Sequence, residues 1–173
     1  MIKKLRIVFS GIENSGKTTL SKALASELGY EFVEEQCRYN KDVIEGVETT
    51  ETLKNIHSLQ ESMAAESMQG AVNGVICDTA HMELRMWSRV KFGLDIEIEP
   101  EEPIDQIFLC QTLEEFEEDP LRQLPDYVDR VDYEKEFIEF LDSEGVRYKV
   151  LPPVDLDERK KTVVARVKRL LNG

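Results

Sequence analysis

The sequence is poor in basic residues relative to acidic ones. Its 22 lysines and arginines are set against 35 aspartates and glutamates, which gives a net charge of −13. A polyanion is repelled by such a surface, so neither nucleic acid nor an anionic membrane is expected as the main partner. Any phosphate group that binds must be held by a few local positive charges.

Cysteines and long apolar runs are also scarce. Cys37, Cys77 and Cys110 stand far apart without the spacing of a metal site or a redox motif, so we expect reduced, buried thiols in a cytoplasmic protein. No apolar run reaches the length of about 18 residues that spans a membrane. The basic residues 1–4 lead into a short strand rather than a signal peptide, so no leader is expected.

What the sequence does contain is a phosphate-binding loop, GIENSGKT, at residues 11–18. An apolar run precedes it and a helical pattern follows, which favours this interpretation over a glycine-rich turn without a ligand. Gly11 and Gly16 let successive N–H groups point at an anion, and the helix adds its positive N-terminal end. Lys17 is expected to reach the β- and γ-phosphates, and Thr18 to hold Mg²⁺. The predicted nucleotide-binding residues are Gly11, Glu13, Asn14, Ser15, Gly16, Lys17, Thr18 and Thr19.

The rest of the chain alternates strands and helices. Strands are predicted at residues 5–9, 30–33, 74–79, 104–110 and 146–150, and helices follow each of them, with a weak helix or loop at 40–50. This pattern predicts a single α/β domain over residues 1–173, with a parallel sheet covered on both faces and its first strand central. The long acidic connection at about 112–127, with two prolines and Arg122, is typical of a lid.

Polar residues follow the second and third strands, where ligands bind in open α/β sheets. Glu35 and Arg38 come after the second strand, and Asp78 ends the third. Asp78 is expected to be the second residue of a magnesium site with Thr18. It is also a candidate N-cap of the next helix, and the two roles are compatible.

Several motifs recur in a fixed order after the loop: Glu35-Gln36-Cys37-Arg38, Asp78-Thr79, and a lid with Arg122 followed by Asp129-Arg130. This order resembles the NadR-like kinase domain of bacterial bifunctional NAD-biosynthesis regulators, which phosphorylates nicotinamide riboside. It also resembles the wider group of AAA-type ATPase domains.

The resemblance implies a three-layer P-loop NTPase fold with strand order 2-3-1-4-5, a lid closing over ATP, and Mg²⁺ as the metal. Its implied catalytic residues are Lys17, Glu35, Asp78 and Arg122. Glu35 would accept a proton or a hydrogen bond from an acceptor hydroxyl. Arg38, Arg122 and Arg130 would neutralise charge on the transferred phosphoryl group, although each could instead form a surface ion pair.

Two positions depart from the family pattern. Glu34 replaces a tryptophan that stacks on the nicotinamide ring, and Ala80 replaces a second acid beyond Asp78. The first hypothesis is therefore a kinase that passes the γ-phosphoryl of ATP to a hydroxyl of a small nucleoside-like metabolite. The alternative is an NTP-binding or NTP-hydrolysing switch module without such an acceptor. ATP is preferred to GTP because no guanine-recognition motif is visible, and the oligomeric state stays open.

Overall fold

The computed structural model describes residues 3–173, which form a central sheet between two layers of helices. The strands are β1 (Leu5–Ser10), β2 (Glu31–Val33), β3 (Gly74–Asp78), β4 (Gln106–Cys110) and β5 (Lys149–Leu151). The helices are α1 (Lys17–Leu28), α2 (Lys41–Glu45), α3 (Thr50–Gly70), α4 (His81–Phe92), α5 (Tyr127–Ser143) and α6 (Leu156–Asn172), with a 3-10 turn at Gln36–Tyr39.

All strand pairs are parallel, and the order across the sheet is β2-β3-β1-β4-β5. The predicted order and the central first strand are confirmed. β1 is buried along its whole length, which explains its continuous apolar run, since a strand covered on both faces needs no polar alternation. This order puts the ends of β1, β3 and β2 side by side.

The two faces of the sheet are packed by different helices. Ile7 and Phe9 of β1 contact residues of α1 and α6, whereas Val8 points to the side covered by α3 and α4. The alternation follows the two-residue period of a strand. α5 packs on the second side through Phe137 and Leu141. The predicted three-layer α/β architecture is confirmed.

Element boundaries differ from prediction mainly at β5. Pairing was expected from Val146 but begins at Lys149. The Val146 N–H instead binds the Leu141 carbonyl at the end of α5, 3.0 Å away, and the Val146 side chain packs toward α4 and α5. The uncertain stretch at 40–50 contains the one-turn helix α2.

The cysteines and the apolar length of the helices were both considered in the sequence. Cys37, Cys77 and Cys110 are all buried free thiols. No helix in residues 3–173 is long and apolar enough to cross a membrane.

Candidate active site

The loop at residues 11–18 lies at the carboxyl end of β1 and runs into α1. Gly11 has φ 144°, and a Cβ there would lie 2.5 Å from the Cys110 carbonyl oxygen, so a side chain is excluded. Asn14 and Gly16 have φ 58° and 76°, both left-handed. The Ser15 hydroxyl is buried and has no hydrogen-bond partner within residues 3–173. A buried orphan hydroxyl in a loop of this shape fits an anion that supplies the missing partner.

Thr18 and Asp78 come together at the start of α1 and the end of β3. The Thr18 hydroxyl donates to Asp78 Oδ2 at 2.6 Å, and Asp78 is buried. One hydroxyl and one carboxylate, with phosphate oxygens and water completing the shell, are the donors that Mg²⁺ takes in phosphate sites. The donor set therefore fits the predicted magnesium site.

Lys17 is surrounded by negative charge. Its ammonium group donates to the Ile12 carbonyl at 3.3 Å. Burial opposes its charge, but the carboxylates of Glu35, Asp78 and Glu83 hold the pKa of Lys17 above its ordinary value. A lysine held charged in this way can bind a phosphate without first taking up a proton.

Glu35 lies at the end of β2 in the same cluster. Burial raises the pKa of Glu35; Asp78 and Asp119 add to the shift, and Lys17 and Arg38 oppose it. A carboxyl group with a raised pKa that faces a charged lysine is typical of catalytic positions. The acceptor-binding role of Glu35 stays a prediction, and a raised pKa is the property that such a role would use.

Arg38 joins Glu35 to the segment 112–126, here called the lid segment. Arg38 Nη1 donates to Asp119 Oδ2 at 2.6 Å, and Arg38 Nε lies 3.6 Å from Glu35 Oε2. The sequence offered two interpretations for Arg38, a phosphate ligand or an ion pair. In the structure it forms ion pairs, one of which is with the candidate catalytic acid.

Glu83 is a site residue that the sequence reasoning missed. Its Oε1 accepts the Gly11 N–H at 3.0 Å and the Ser10 hydroxyl, and its Oε2 accepts the Ala80 N–H at 3.1 Å. The only sequence signal is a glutamate three residues after the helix N-cap, and Ala80 cannot complete that capping box. The acid that the resemblance expects at Ala80 is absent, but the Glu83 carboxylate, in the first turn of α4, binds the Ala80 N–H.

Arg159 is a second residue that was missed. It is buried and donates to the Ser15 carbonyl, to the Gln111 carbonyl at 2.8 Å and to the Pro152 carbonyl at 2.9 Å. A Cβ on Gly16 would lie 3.3 Å from its Nη1, so Arg159 supports the loop from behind. Its spacing of four residues from Val163 places it on the inner face of α6, which is the signal that could have revealed it.

Arg122 lies beside the loop, where its Nη1 donates to Asn14 Oδ1 at 3.2 Å and to the Glu117 carbonyl. Glu13 and Thr19 were also predicted to bind nucleotide. The Glu13 carboxylate accepts the Gln123 N–H at 3.0 Å, so its side chain contacts the lid segment. Thr19 is exposed on the first turn of α1.

Arg130 does not lie where the resemblance suggested. It is completely buried, and its five N–H groups bind the Thr112 hydroxyl and the carbonyls of Leu113, Glu114, Leu124 and Pro125. Because a guanidinium has five donors, none is left for a phosphate. The expectation that Arg130 neutralises a phosphoryl group is corrected: it ties the two ends of the lid segment together.

Replacing Arg130 by methionine should lower the free energy of unfolding by about 3 kcal/mol, because several buried carbonyls lose their donors. Urea unfolding followed by circular dichroism measures this change. Arg147→Met, at an exposed position, is the control and should change stability by less than about 0.5 kcal/mol. An equal, small effect of both substitutions would contradict the structural role of Arg130.

These observations first define a class. A Gly-Lys-Thr loop follows the central strand of a parallel 2-3-1-4-5 sheet, and an acid ends the adjacent strand, which is the P-loop nucleotide-binding fold. More particularly, the chain belongs to the AAA domain family, whose model matches residues 6–159.

Solved structures agree with this assignment of the fold. NadR protein in complex with NR is 17% identical with a TM-score of 0.75, over 98% of this chain and 52% of that one. Deoxyadenosine kinase from M. mycoides with bound dATP is 13% identical with a TM-score of 0.63, over 95% and 100% of the two chains. Thymidylate kinase from Ehrlichia chaffeensis is 16% identical with a TM-score of 0.63, over 95% and 98%.

The chain spans about half the length of the NadR chain. No curated protein sequence matches it significantly. The predicted likeness to the NadR-like domains and the AAA-type domains is confirmed at the level of the fold.

Proposed function

We propose that the chain is an ATP-dependent phosphotransferase that passes the γ-phosphoryl of MgATP to a hydroxyl of a small nucleoside-like metabolite. The observation that carries the proposal is the Glu35 carboxyl, whose pKa is raised by burial, in the same charge cluster as Lys17 and Asp78. A nucleotide-binding site alone needs no second acid facing its lysine. A kinase needs one to orient the incoming hydroxyl.

Each residue has a separate task in this proposal. Lys17 and the loop amides bind the phosphates of ATP, and Thr18 and Asp78 would hold Mg²⁺, which supplies charge neutralisation at the β- and γ-phosphates. The oxygen of the acceptor hydroxyl forms a bond to the γ-phosphorus while Glu35 accepts the proton of that hydroxyl. The bond from that phosphorus to the β–γ bridging oxygen breaks, and ADP leaves. Arg122 stabilises the negative charge of the transferred group.

The charges beside Glu35 favour an acceptor that carries no phosphate. Arg38 is a cation at this strand end, and both of its charged contacts are with the carboxylates of Glu35 and Asp119. The neighbouring Glu34 adds a third acid, which pairs with Lys22 at 3.4 Å. A nucleoside monophosphate would need a free cation here, whereas an uncharged nucleoside would not.

Tyr39 offers an apolar surface at the same strand end. Its hydroxyl donates to Glu34 Oε2 at 3.0 Å, and its side chain is 62% exposed. An exposed ring that is held by its hydroxyl can stack on a planar base. This supports a nucleoside-like acceptor although the stacking tryptophan of the family is replaced by Glu34.

The buried free thiols further support a cytoplasmic location.

A panel of nucleosides and nucleoside monophosphates tests the proposal, assayed for ADP release with MgATP and in parallel for GDP release with MgGTP. At least one nucleoside should raise ADP release well above the water-only rate, and mass spectrometry should find the acceptor heavier by one phosphoryl group. Nucleoside monophosphates should be poor acceptors. If no acceptor stimulates turnover, the kinase proposal fails and slow hydrolysis by a switch module becomes the better explanation.

A further inference from the structure

The Asn14 side chain is completely used in contacts with the lid segment. Its Nδ2 donates to the carbonyls of Leu113 at 3.1 Å and Glu115 at 2.6 Å. Its Oδ1 accepts from the Glu117 N–H at 3.0 Å and from Arg122 at 3.2 Å. A primary amide has two donor hydrogens and two acceptor lone pairs, and all four have partners. Asn14 is also buried, with 6% of its surface exposed.

The adjacent backbone and side chain add two more contacts. The Leu113 N–H donates to the Asn14 carbonyl at 2.9 Å, and the Gln123 N–H donates to the Glu13 carboxylate at 3.0 Å. Both the beginning and the end of the lid segment therefore meet two consecutive residues of the phosphate loop. The register of the lid segment is set by the loop on which it lies.

A simpler explanation of Asn14 is its backbone conformation, since φ is 58° and asparagine tolerates the left-handed region. Glycine would satisfy that requirement equally well. The backbone conformation does not account for a buried amide whose four hydrogen bonds all go to residues about 100 positions later in the chain. The side chain must therefore have a role of its own.

We propose that Asn14 is a positioning residue: its side chain docks the lid segment on the phosphate loop and holds Arg122 beside the phosphates. The inference rests on the proposed function only where it assigns Arg122 to the transferred phosphoryl group. In a protein with a net charge of −13, Asn14 fixes this arginine at the loop without adding a negative charge. Arg122 Nη1 also lies 4.0 Å from Glu117 Oε2, but that side chain is 88% exposed, so water screens the ion pair. A carboxylate at position 14 would neutralise this arginine and repel ATP.

Asn14→Gly tests the proposal, because glycine accepts the left-handed backbone and removes only the amide. The variant should lower kcat by about 100-fold, at the lower end of the range that one positioned donor contributes. Its dissociation constant for the non-hydrolysable ATP analogue AMP-PNP should change less than about threefold, because the loop amides and Lys17 remain. Asn55→Ala, which removes an exposed amide on α3, is the control and should leave both quantities unchanged.

A double-mutant cycle separates positioning of Arg122 from a general structural effect. Arg122→Ala should lower kcat in the wild-type background and have little further effect in the Asn14→Gly background. Equal losses in both backgrounds would overturn the proposal, because Arg122 would then act without Asn14. Where no acceptor has been found, the rate of ATP hydrolysis replaces kcat in the same cycle.

Hydrogen exchange provides a measurement that needs no turnover. In Asn14→Gly the amides of Leu113 and Glu117 should exchange faster, while the amides of β1 stay protected and show that the protein is folded. Unchanged exchange in the lid segment would refute the docking role even if the kinase proposal holds. Exchange that changes as expected in a protein that phosphorylates no acceptor would retain the docking role and reject the kinase.

A second variant leaves the phosphate loop intact. Glu117→Pro removes the N–H that binds Asn14 Oδ1 and also the exposed carboxylate that lies 4.0 Å from Arg122 Nη1. It should reproduce the loss of kcat with unchanged AMP-PNP affinity. Glu117→Gln, which loses only that carboxylate, is measured beside it and should have a smaller effect. Glu118→Pro is the matched control, because it retains the Glu117 N–H, and its effect should be smaller. Equal effects of the two prolines would count against the specific contact with Asn14.

Discussion

Replacing Lys17 by alanine should lower the affinity for MgATP by two to three orders of magnitude, a loss of about 3–4 kcal/mol. The ammonium group is the one cation that the loop itself contributes, and it lies among the carboxylates of Glu35, Asp78 and Glu83. Removing it takes away the attraction to the phosphates and leaves three acids facing the triphosphate. Isothermal titration calorimetry with MgATP measures the loss.

Lys54→Ala is a suitable control for this substitution, since Lys54 is an exposed lysine on α3. Its affinity for MgATP should equal that of the wild type. Both the proposed phosphoryl transfer and the proposed role of Asn14 require phosphate binding at this loop. Unchanged affinity in Lys17→Ala would refute nucleotide binding at residues 11–18 and with it the proposed function.

Local sequence patterns were sufficient for the loop and for the order of the elements. The run before Gly11 and the helix after Gly16 are continuous in sequence, so their arrangement follows from local geometry. The end of β3 could be placed because a buried apolar run stops at Asp78. The central position of β1 follows from the loop, and the full strand order followed from the family resemblance.

The missed site residues reach the loop from distant parts of the chain. Glu83 is separated from Gly11 by 72 positions and Arg159 from Ser15 by 144. The spacing of Glu83 from the helix N-cap and the place of Arg159 on the inner face of α6 are weak signals, and neither of them points to the loop. Arg130 shows the opposite error: arginines look alike in sequence, and only burial reveals which one has used all its donors on carbonyls.

The charge arrangement explains how a strongly acidic chain can accept a triphosphate. Lys17 and Arg122 lie at the loop, and Arg38 lies at the next strand end. Arg38 pairs with Glu35 and Asp119. Arg122 is held by the neutral Asn14, and its ion pair with the exposed Glu117 is longer, at 4.0 Å. Arg122 therefore adds a weakly paired positive charge beside the loop to that of Lys17, whose own neighbours are the carboxylates of Glu35, Asp78 and Glu83. The acceptor side stays acidic. The cations at the loop would favour binding of the charged triphosphate donor, and the acids near Glu35 would favour an uncharged acceptor.

Replacing Glu35 by glutamine should lower the rate of phosphoryl transfer by about 10²- to 10⁴-fold, the range expected for a general base. Glutamine has nearly the same shape but cannot accept a proton. The affinity for MgATP should not fall, because a negative charge near the γ-phosphate is removed. Single-turnover kinetics with the identified acceptor measures the chemical step, and Glu31→Gln, at an exposed position on β2, is the control.

The pH dependence gives this substitution its second test. Burial raises the pKa of Glu35, so the acidic limb of the wild-type rate should lie above the ordinary range of a carboxyl group, and Glu35→Gln should lose that limb. The same raised pKa makes the stability of the nucleotide-free protein depend on pH. The folded state favours protonated Glu35, so this contribution is full at low pH and is lost as the pH rises through the raised pKa.

Glu35→Gln should consequently gain stability relative to the wild type on going from acidic to neutral pH, measured by urea unfolding at several pH values. A variant that loses the kinetic limb and gains stability in this way identifies Glu35 as a base kept at a cost in folding energy, as expected of a catalytic group. A variant with an unaltered rate at saturating acceptor would assign Glu35 to the ion pair with Arg38 alone. In that case another group would have to orient the acceptor hydroxyl.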